Sequence, residues 1–225
     1  RHNFHVMEKA IAVLYARQDS IYKKFPDLDV FDIERDARTY QGGLPVIAHP
    51  PCRGWGKLRG VAKTLPGEKE LGFHAVEMVR KWGGVLEHPC KSRLWMDHSV
   101  MQDSEFPDWK GIIRPGKGVD EWGGFSIDIN QSWFGHKARK RTWLYVCGLQ
   151  PMEMPQISLS FDAITHTVCT DPKKIKKELS KKAREATPLK LAQWMISVCN
   201  IINQKKANGK ADSKNNYSRQ ITGAQ

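Results

Sequence analysis

Residues 44–59 read LPVIAHPPCRGWGKLR, an apolar run that leads through a double proline to a cysteine and a basic, glycine-rich loop. The apolar run, Leu44 to Ala48, predicts a short buried strand. Proline cannot continue the hydrogen-bond ladder of a sheet, so the strand must end at the double proline. Cys52 is therefore predicted at the end of a strand, where open α/β sheets place their sites.

Cys52 is the first candidate for chemistry. Arg53, Lys57 and Arg59 follow it closely. Their charge favours a thiolate over a thiol and predicts a pKa below the value of about 8.5 in the free side chain. These features are typical of a nucleophile. The alternative is a buried structural cysteine beside a turn, and this stretch alone leaves both interpretations open.

Composition limits the class of protein. The 225 residues are enough for one α/β domain with a sizeable core. The mean hydropathy is −0.54 and no apolar run has the length of a membrane span, so we expect a cytoplasmic protein without a membrane partner. Five scattered cysteines without a CxxC pair favour a reducing compartment. The net charge of +12 predicts a polyanionic partner, most often nucleic acid.

The chain is predicted to form a single catalytic α/β domain over residues 7–202. Residues 203–225 are rich in Lys, Asn, Ser and Gly with little to bury, so we expect a disordered tail. Met7 has the features of a natural start, and residues 1–6 look like an appended segment.

Apolar periodicity predicts strands that alternate with helices, and therefore helices on both faces of a mostly parallel sheet. The predicted elements are strands over 10–16, 28–33, 44–48 and 85–86, a helix over 68–82 that Gly83 ends, an antiparallel strand pair over 125–129 and 142–147, and helices over 172–184 and 188–202. The helix before residue 85 implies that the third and fourth strands are parallel, so their carboxyl ends share one edge. Glu87 is therefore predicted on the same edge as Cys52.

Three motifs, in this order, carry a resemblance to the DNA cytosine-5 methyltransferases. Pro50-Pro51-Cys52 resembles the nucleophile loop of that family, and Leu86-Glu87-His88-Pro89 stands where the family has a strand ending in Glu-Asn-Val. Residues 125–148, FSIDINQSWFGHKARKRTWLYVCG, resemble the family's hairpin, with residues 137–141 in place of its Gln-x-Arg-x-Arg element. The resemblance implies a Rossmann-like, class I methyltransferase-type sheet with a C-terminal antiparallel hairpin.

The resemblance also implies chemistry at carbon 5 of a pyrimidine. Cys52 would add to carbon 6 of the base, and Glu87, as a carboxylic acid, would stabilise the negative charge that develops at ring nitrogen 3. Arg139 and Arg141 would hold the base carbonyl, a phosphate or the carboxylate. The other candidates for binding DNA or a pyrimidine nucleotide are His49, Pro51, Arg53, Trp55, Lys57, Arg59, His88 and Lys137. Trp55 would stack on or wedge between bases, unless its loop is an ordinary surface loop.

The cofactor is the point at which the chain departs from the family. The resemblance implies S-adenosylmethionine, but the family's aromatic-x-Gly-x-Gly loop is missing, since residues 16–24 contain no glycine. Asp32 and Glu34, after the second strand, remain as candidates for binding a ribose. The cofactor is therefore unknown. The compact chain, without a long recognition region, is similar to a phage-type relative, which implies a bacterial or phage-infected host cell.

Two other functions fit the sequence. His49, Cys52, His88 and Cys90 form two His/Cys pairs on adjacent strand ends that could bind zinc, with Glu87 as the acid or base of a deaminase or hydrolase. The missing cofactor loop fits a catalytically silent DNA-binding relative. The sequence specifies neither the electrophile nor the oligomeric state.

Overall fold

The structure is a computed structural model that describes residues 8–56, 60–95, 109–169, 173 and 175–222, with side chains as far as Lys210. Its elements, in chain order, are β1 Ile11–Leu14, β2 Leu28–Val30, β3 Val46–Ala48, α1 Glu70–Trp82, β4 Gly84–Pro89, β5 Phe125–Asn130, β6 Arg141–Cys147, β7 His166–Thr167, β8 Lys177–Glu178, α2 Lys181–Glu185 and α3 Leu189–Thr222. Short 3-10 turns lie at Ile21–Lys24, Ala37–Thr39, Gln131–Phe134 and Pro151–Glu153.

Six strands form one mixed sheet in the order β2-β1-β3-β4-β6-β5. Strands β2, β1, β3 and β4 run parallel to one another, whereas β6 runs antiparallel to both β4 and β5. All residues of β1 and β3 are buried, as expected for parallel strands that are covered on both faces. Strands β7 and β8 form a separate two-stranded sheet.

Two hydrophobic clusters cover the two faces of this sheet. Helix α3 packs on one face through Leu191, Met195 and Val198, together with Ile47 and Val85 of the strands. Helix α1 packs on the other face through Val76 and Val79. The predicted α/β class with helices on both faces is therefore confirmed.

The connection from α1 to β4 requires glycine. Gly83 ends the helix with a φ of 78°, and its N–H donates to the Val79 carbonyl. At Gly84 a Cβ atom would lie 1.9 Å from the carbonyl oxygen of Val46, so only glycine permits this approach to β3. This close approach fixes β4 beside β3 and brings the carboxyl ends of the two strands together.

The C-terminal part differs from the sequence-based prediction. The helix predicted over 172–184 is wrong at its centre, because Lys177 and Glu178 pair with β7. Helix α2 begins only after Ser180, whose hydroxyl accepts a hydrogen bond from the Ala183 N–H. Helix α3 extends to Thr222, beyond the predicted end at residue 202, so the backbone is helical where composition predicts a disordered tail. Among the described residues, no helix is both long and apolar enough to cross a membrane.

Candidate functional site

The carboxyl ends of β3 and β4 lie side by side, with Ala48 paired to Leu86. Beyond this pair the chain continues as His49 on one strand and Glu87 on the other. The His49 N–H donates to the Leu14 carbonyl, which keeps the residue in line with the sheet. The double proline then turns the chain away, and Cys52 heads a tight turn in which its carbonyl accepts from the Gly56 N–H at 2.7 Å. The predicted meeting of these two strand ends is confirmed.

Glu87 is held by two neighbouring side chains. Its Oε2 lies 3.0 Å from His49 Nδ1, and its Oε1 accepts a hydrogen bond from Gln131 Nε2 at 3.1 Å. The His49 and Glu87 side chains are each only 13% exposed. Burial raises the pKa of Glu87, but the His49 hydrogen bond and the nearby Lys140 charge outweigh burial and lower the pKa to about 2. Glu87 is therefore a carboxylate at neutral pH and not the carboxylic acid predicted at ring nitrogen 3, so it can accept a hydrogen bond from a base but cannot donate one.

Further polar groups extend this contact inside the protein. The Tyr22 hydroxyl lies 3.1 Å from His49 Nε2, and Gln131 Nε2 also donates to the Thr142 hydroxyl at 3.1 Å. Tyr22, Gln131 and Thr142 are all buried. Sequence reasoning missed Tyr22, Gln131 and Lys140. Gln131 stands in the QSWFG turn of the hairpin motif, which is the one signal that could have found it.

Cys52 is exposed, so the interpretation as a buried structural cysteine is wrong. Its predicted activation by neighbouring cations is also wrong. Partial desolvation and the Glu87 charge raise the pKa of the thiol, and the opposing Lys140 charge does not offset them. Arg53 does not help, because its guanidinium is held by two hydrogen bonds of 2.9 Å to the Glu68 carboxylate. Lys57 and Arg59 lie outside the described residues.

Trp55 does not reach toward a nucleic acid. The side chain is 1% exposed, and its indole N–H donates to the Lys69 carbonyl at 3.2 Å. The ring meets Phe73 edge-on, with 5.2 Å between centroids. The predicted stacking or wedging role is therefore wrong, because α1 packs over the ring. Pro51 is half-buried and serves here to end the strand.

His88 faces the opposite side of the sheet from Glu87, since adjacent residues of a strand alternate. It is buried, and neither ring nitrogen has a hydrogen-bond partner within the described chain. Burial is the main cause of a pKa lowered to about 4, so the ring is neutral at physiological pH. His88 is therefore unable to contact a substrate in this structure, which contradicts its predicted binding role.

The predicted zinc ligands do not converge. His49 uses both ring nitrogens within the protein, and His88 lies on the other face of β4. Across the part of the chain that the structure describes, no group of three or more His, Cys, Asp or Glu side chains is placed to hold a metal ion. The charge next to Cys90 comes mainly from Arg141 and Asp128 rather than from His49 or Cys52. The zinc interpretation has no geometric support.

The basic residues of the hairpin divide into two groups. Arg141 is ion-paired with Asp128 across the two strands, with 2.9 Å between Nε and Oδ2. Arg139 and Lys137 are exposed, and Arg139 has no ion-pair partner among the residues described. Lys140 is the cation whose charge acts on both Glu87 and Cys52. Within the hairpin, the electrostatic role expected of Arg139 and Arg141 toward Glu87 thus falls to Lys140.

The ends of β1 and β2 do not fit the cofactor that the resemblance implies. Tyr15, directly after β1, has a φ of 62° where the family has a glycine-rich loop, and its hydroxyl bonds His74 Nδ1 at 2.7 Å. Asp32 accepts from Lys23 at 2.5 Å through one oxygen and from two backbone N–H groups through the other. Glu34 is bonded to Gln18. The two acids predicted to bind a ribose are therefore engaged by protein donors.

The sequence matches no protein-family model and no curated protein. The case for a function therefore rests on the chemistry of the side chains at the ends of β3 and β4.

Proposed function

We propose that the chain modifies pyrimidine bases of DNA at carbon 5 through a covalent adduct of Cys52. The observation that carries the proposal is the placement of an exposed thiol beside a nearly buried carboxylate at the shared edge of β3 and β4. Glu87 is close enough for its charge to raise the pKa of the Cys52 thiol. The thiol is the group that adds to carbon 6, and the fixed carboxylate is an acceptor that can hold the exocyclic amine of the base.

The sheet gives a second line of support. A parallel core followed by an antiparallel C-terminal strand pair fits the class I methyltransferase-type sheet that the resemblance implies. The thiol and the carboxylate lie at the carboxyl edge of the parallel strands, where sites of open α/β sheets are built. Fold alone does not define an activity, so the proposal depends on Cys52 and Glu87.

The ionised state of Glu87 bears on the choice of base. A carboxylate only accepts hydrogen bonds, so it pairs with a ring edge that donates. Cytosine offers the N–H groups of its exocyclic amine, and uracil and thymine offer the N–H of ring nitrogen 3. Cytosine is the base that the resemblance implies, and its amine is a donor whose hydrogen bond this carboxylate can accept, so we assign cytosine to the site.

The proposed reaction balances without further protein groups. The Cys52 sulfur gives its proton to water and bonds to carbon 6, and the electron pair of the C5–C6 double bond makes carbon 5 nucleophilic. Carbon 5 then takes a proton from water or bonds to a carbon electrophile. Water removes the original hydrogen of carbon 5 as a proton, the C5–C6 double bond re-forms, and the sulfur leaves as a thiolate. In the absence of an electrophile, the net result is exchange of the hydrogen at carbon 5 with water.

Charge favours nucleic acid over a free nucleotide as the substrate. The chain has a net charge of +12, and the exposed Arg139 and Lys137 stand on the hairpin that supplies Gln131 and Lys140 to the site. Exposed cations next to a reactive thiol are placed to bind the phosphates that flank a target base. The base itself must leave the duplex, at a cost of a few kcal/mol.

Covalent capture tests the proposal. DNA that contains 5-azacytosine has a ring nitrogen at position 5, which makes carbon 6 more electrophilic and takes up a proton after the thiol adds, so the equilibrium favours the covalent adduct. We expect the wild type to form a denaturation-resistant adduct whose mass maps to the Cys52 peptide. Cys52→Ser should form none, while Cys169→Ser, at another exposed cysteine, should match the wild type. Equal capture by Cys52→Ser, or none by wild type bound to the same DNA, would overturn the proposal.

A second function, a catalytically silent DNA-binding relative, is favoured by one observation. The Cys52 thiol has a raised pKa in the free protein, so little thiolate is present at neutral pH. A silent relative would bind DNA and would leave tritium at carbon 5 of cytosine in place. Release of that tritium by the wild type, and not by Cys52→Ser, distinguishes the enzyme from the silent relative.

A further inference from the structure

The contacts of His49 determine which of its ring nitrogens carries the proton. Tyr22 is buried, and burial raises the pKa of its phenol well above the usual value, so the hydroxyl keeps its proton. His49 Nε2, at 3.1 Å, is the acceptor placed to receive that proton as a hydrogen bond. A ring that accepts at Nε2 has its own proton on Nδ1, and Nδ1 faces the Glu87 carboxylate at 3.0 Å.

Gln131 fixes the other oxygen of the same carboxylate. Its Nε2 donates to both Glu87 Oε1 and the Thr142 hydroxyl, each at 3.1 Å. The amide cannot be turned over, because its carbonyl oxygen would then face a carboxylate oxygen. Glu87 is thus held at both oxygens by donors from different parts of the chain, and each oxygen keeps a further lone pair.

We propose that Tyr22 and His49 are positioning residues, which hold Glu87 in one orientation as a hydrogen-bond acceptor for the substrate. The role rests on the proposed function of the site. Tyr22 sets the tautomer of His49, and His49 sets the plane of the Glu87 carboxylate, in the way that outer hydrogen bonds orient the ligands of metal centres. A carboxylate that is already oriented loses little freedom when the base arrives.

Gln131 holds Oε1 of Glu87, and the surroundings leave Oε2 to His49. Lys140 acts on Glu87 through charge, His88 is on the opposite face of β4, and Cys52 is a thiol. Tyr22 comes from the 3-10 turn that packs against α3, and besides His49 the titratable groups that act on it are Glu87 and Cys199. Cys199 is buried, with a pKa above its usual range, and carries no charge at neutral pH. His49 is therefore the group through which Tyr22 reaches the carboxylate.

A second tyrosine–histidine pair supplies a matched control. Tyr15 and His74 make a hydrogen bond of 2.7 Å at the same edge of the sheet, but on the face covered by α1. This pair has the same chemistry and does not contact Glu87. Tyr15→Phe and Tyr22→Phe each remove one hydroxyl that is hydrogen-bonded to a histidine, so a difference between them measures the connection to Glu87 rather than the loss of a hydrogen bond.

The test combines two measurements on full-length chains that keep the wild-type circular dichroism. The first is the rate of capture of 5-azacytosine DNA. We expect a roughly hundredfold loss for His49→Leu, roughly tenfold for Tyr22→Phe and less than twofold for Tyr15→Phe, within the range of outer hydrogen-bond effects. His49→Asn, whose amide N–H can replace Nδ1–H, should recover most of the rate lost in His49→Leu.

The second measurement is the titration of Glu87, followed through its side-chain carboxyl carbon by NMR. The pKa of Glu87 should rise in His49→Leu, because a hydrogen bond to the charged form is lost, and return toward the wild-type value in His49→Asn. This readout needs no substrate, so it tests positioning even if the chain does not modify DNA. An unchanged Glu87 titration in His49→Leu, or equal capture rates for Tyr15→Phe and Tyr22→Phe, would overturn the inference.

Discussion

The carboxyl edge of the sheet has two parts that use charged side chains in opposite ways. In the ion-paired part, at the ends of β1 and β2, Arg17 bonds Asp19 and Glu185, and Lys23 bonds Asp32. In the reactive part, at the ends of β3 and β4, Glu87 is held by His49 and Gln131, and the Cys52 thiol is exposed. One part pairs its charges with one another, whereas the other holds an ionised, nearly buried acceptor beside an exposed thiol. Under the proposed function, base chemistry is retained in the reactive part, whereas in the ion-paired part the acids that a cofactor would need are engaged by protein donors.

The first prediction, with the largest expected effect, compares substitutions of two glutamates near Cys52, one in each part of the edge. Glu87 and Glu185 both raise the pKa of the Cys52 thiol. Glu87→Gln should lower the capture rate of 5-azacytosine DNA by about 10²–10³-fold, because a positioned acceptor is lost. Glu185→Gln, in α2, should change it less than about threefold.

The direction of these effects is informative. Either substitution removes a negative charge near Cys52 and so increases the fraction of thiolate at neutral pH. If the thiolate fraction alone controlled the rate, both variants would be faster than the wild type. Equal acceleration of the two variants would therefore remove Glu87 from the chemistry and reduce it to an electrostatic neighbour of the thiol.

The second prediction concerns DNA binding and compares two arginines of the hairpin. Arg139 is exposed, whereas Arg141 is paired with Asp128. If Arg139 contacts a phosphate, Arg139→Ala should reduce the slope of log K against log salt by about 0.9 and weaken binding at low salt roughly tenfold. Arg141→Ala should have a smaller effect on both, because its charge is already neutralised. Binding that does not respond to salt would contradict a phosphate interface and favour a free nucleotide as substrate.

The sequence predicts the scaffold of the reactive part better than its electrostatics. Apolar runs and prolines define where β3 and β4 end, and that is a local property which single residues control. The pKa of Cys52 depends instead on partners that are distant in sequence, since Glu68 binds Arg53, and Glu87 raises the pKa of the thiol while Lys140 lowers it. Tyr22 could not be predicted, because nothing in its own segment indicates that the turn reaches His49, 27 residues away.

Trp55 and the segment around residue 177 show the same limit. A tryptophan in a glycine-rich basic loop has the composition of a surface loop, but α1 lies over it and supplies the Lys69 carbonyl for its N–H. Lys177 and Glu178 have helix-favouring neighbours, yet they pair with β7. In both places a tertiary contact, which is not encoded in local pattern, decides the structure.

The third prediction is a modest loss of stability in the ion-paired part. The Lys23 hydrogen bond is the main cause of a lowered pKa at Asp32, and two backbone N–H groups add to it. Asp32→Asn should destabilise the fold by about 1 kcal/mol. For a chain of this length that is a decrease of about 2–4 °C in Tm. Glu34→Gln, at an exposed neighbour, should have little effect.

The pH dependence of this difference has a definite sign. Because the folded pKa of Asp32 lies below the unfolded value of about 3.9, its contribution is fully present above that value. The contribution is lost as the pH falls through the lower, folded pKa. The stability difference between wild type and Asp32→Asn should therefore be constant from neutral pH to about pH 5 and shrink in stronger acid. A difference that grew with acid would contradict the assignment of the Lys23–Asp32 pair.

The last prediction is that S-adenosylmethionine binds weakly or not at all. A nucleoside pocket at the end of β1 needs backbone that can approach the cofactor closely, and glycine is the residue that permits this approach. Here Tyr15 takes that place and is bonded to His74, and the carboxylate of Asp32 is shared between Lys23 and two backbone N–H groups. To bind a ribose, Asp32 would have to give up hydrogen bonds to protein partners. The loss of these bonds would make the free energy of cofactor binding less favourable.

Calorimetry measures this directly, with the cofactor added to the protein alone and to its complex with DNA. We expect no binding at cofactor concentrations of about 100 μM, and the same result for Tyr15→Gly, because the Asp32 contacts remain. Binding restored in Tyr15→Gly alone would show that the tyrosine, and not the ion pair, closes the pocket. Tight binding by the wild type would contradict the difference that we infer between the two parts of the edge. The cofactor would then bind at residues that are hydrogen-bonded to one another in the structure. An enzyme that adds Cys52 to cytosine without that cofactor must supply carbon 5 with a proton or with another electrophile.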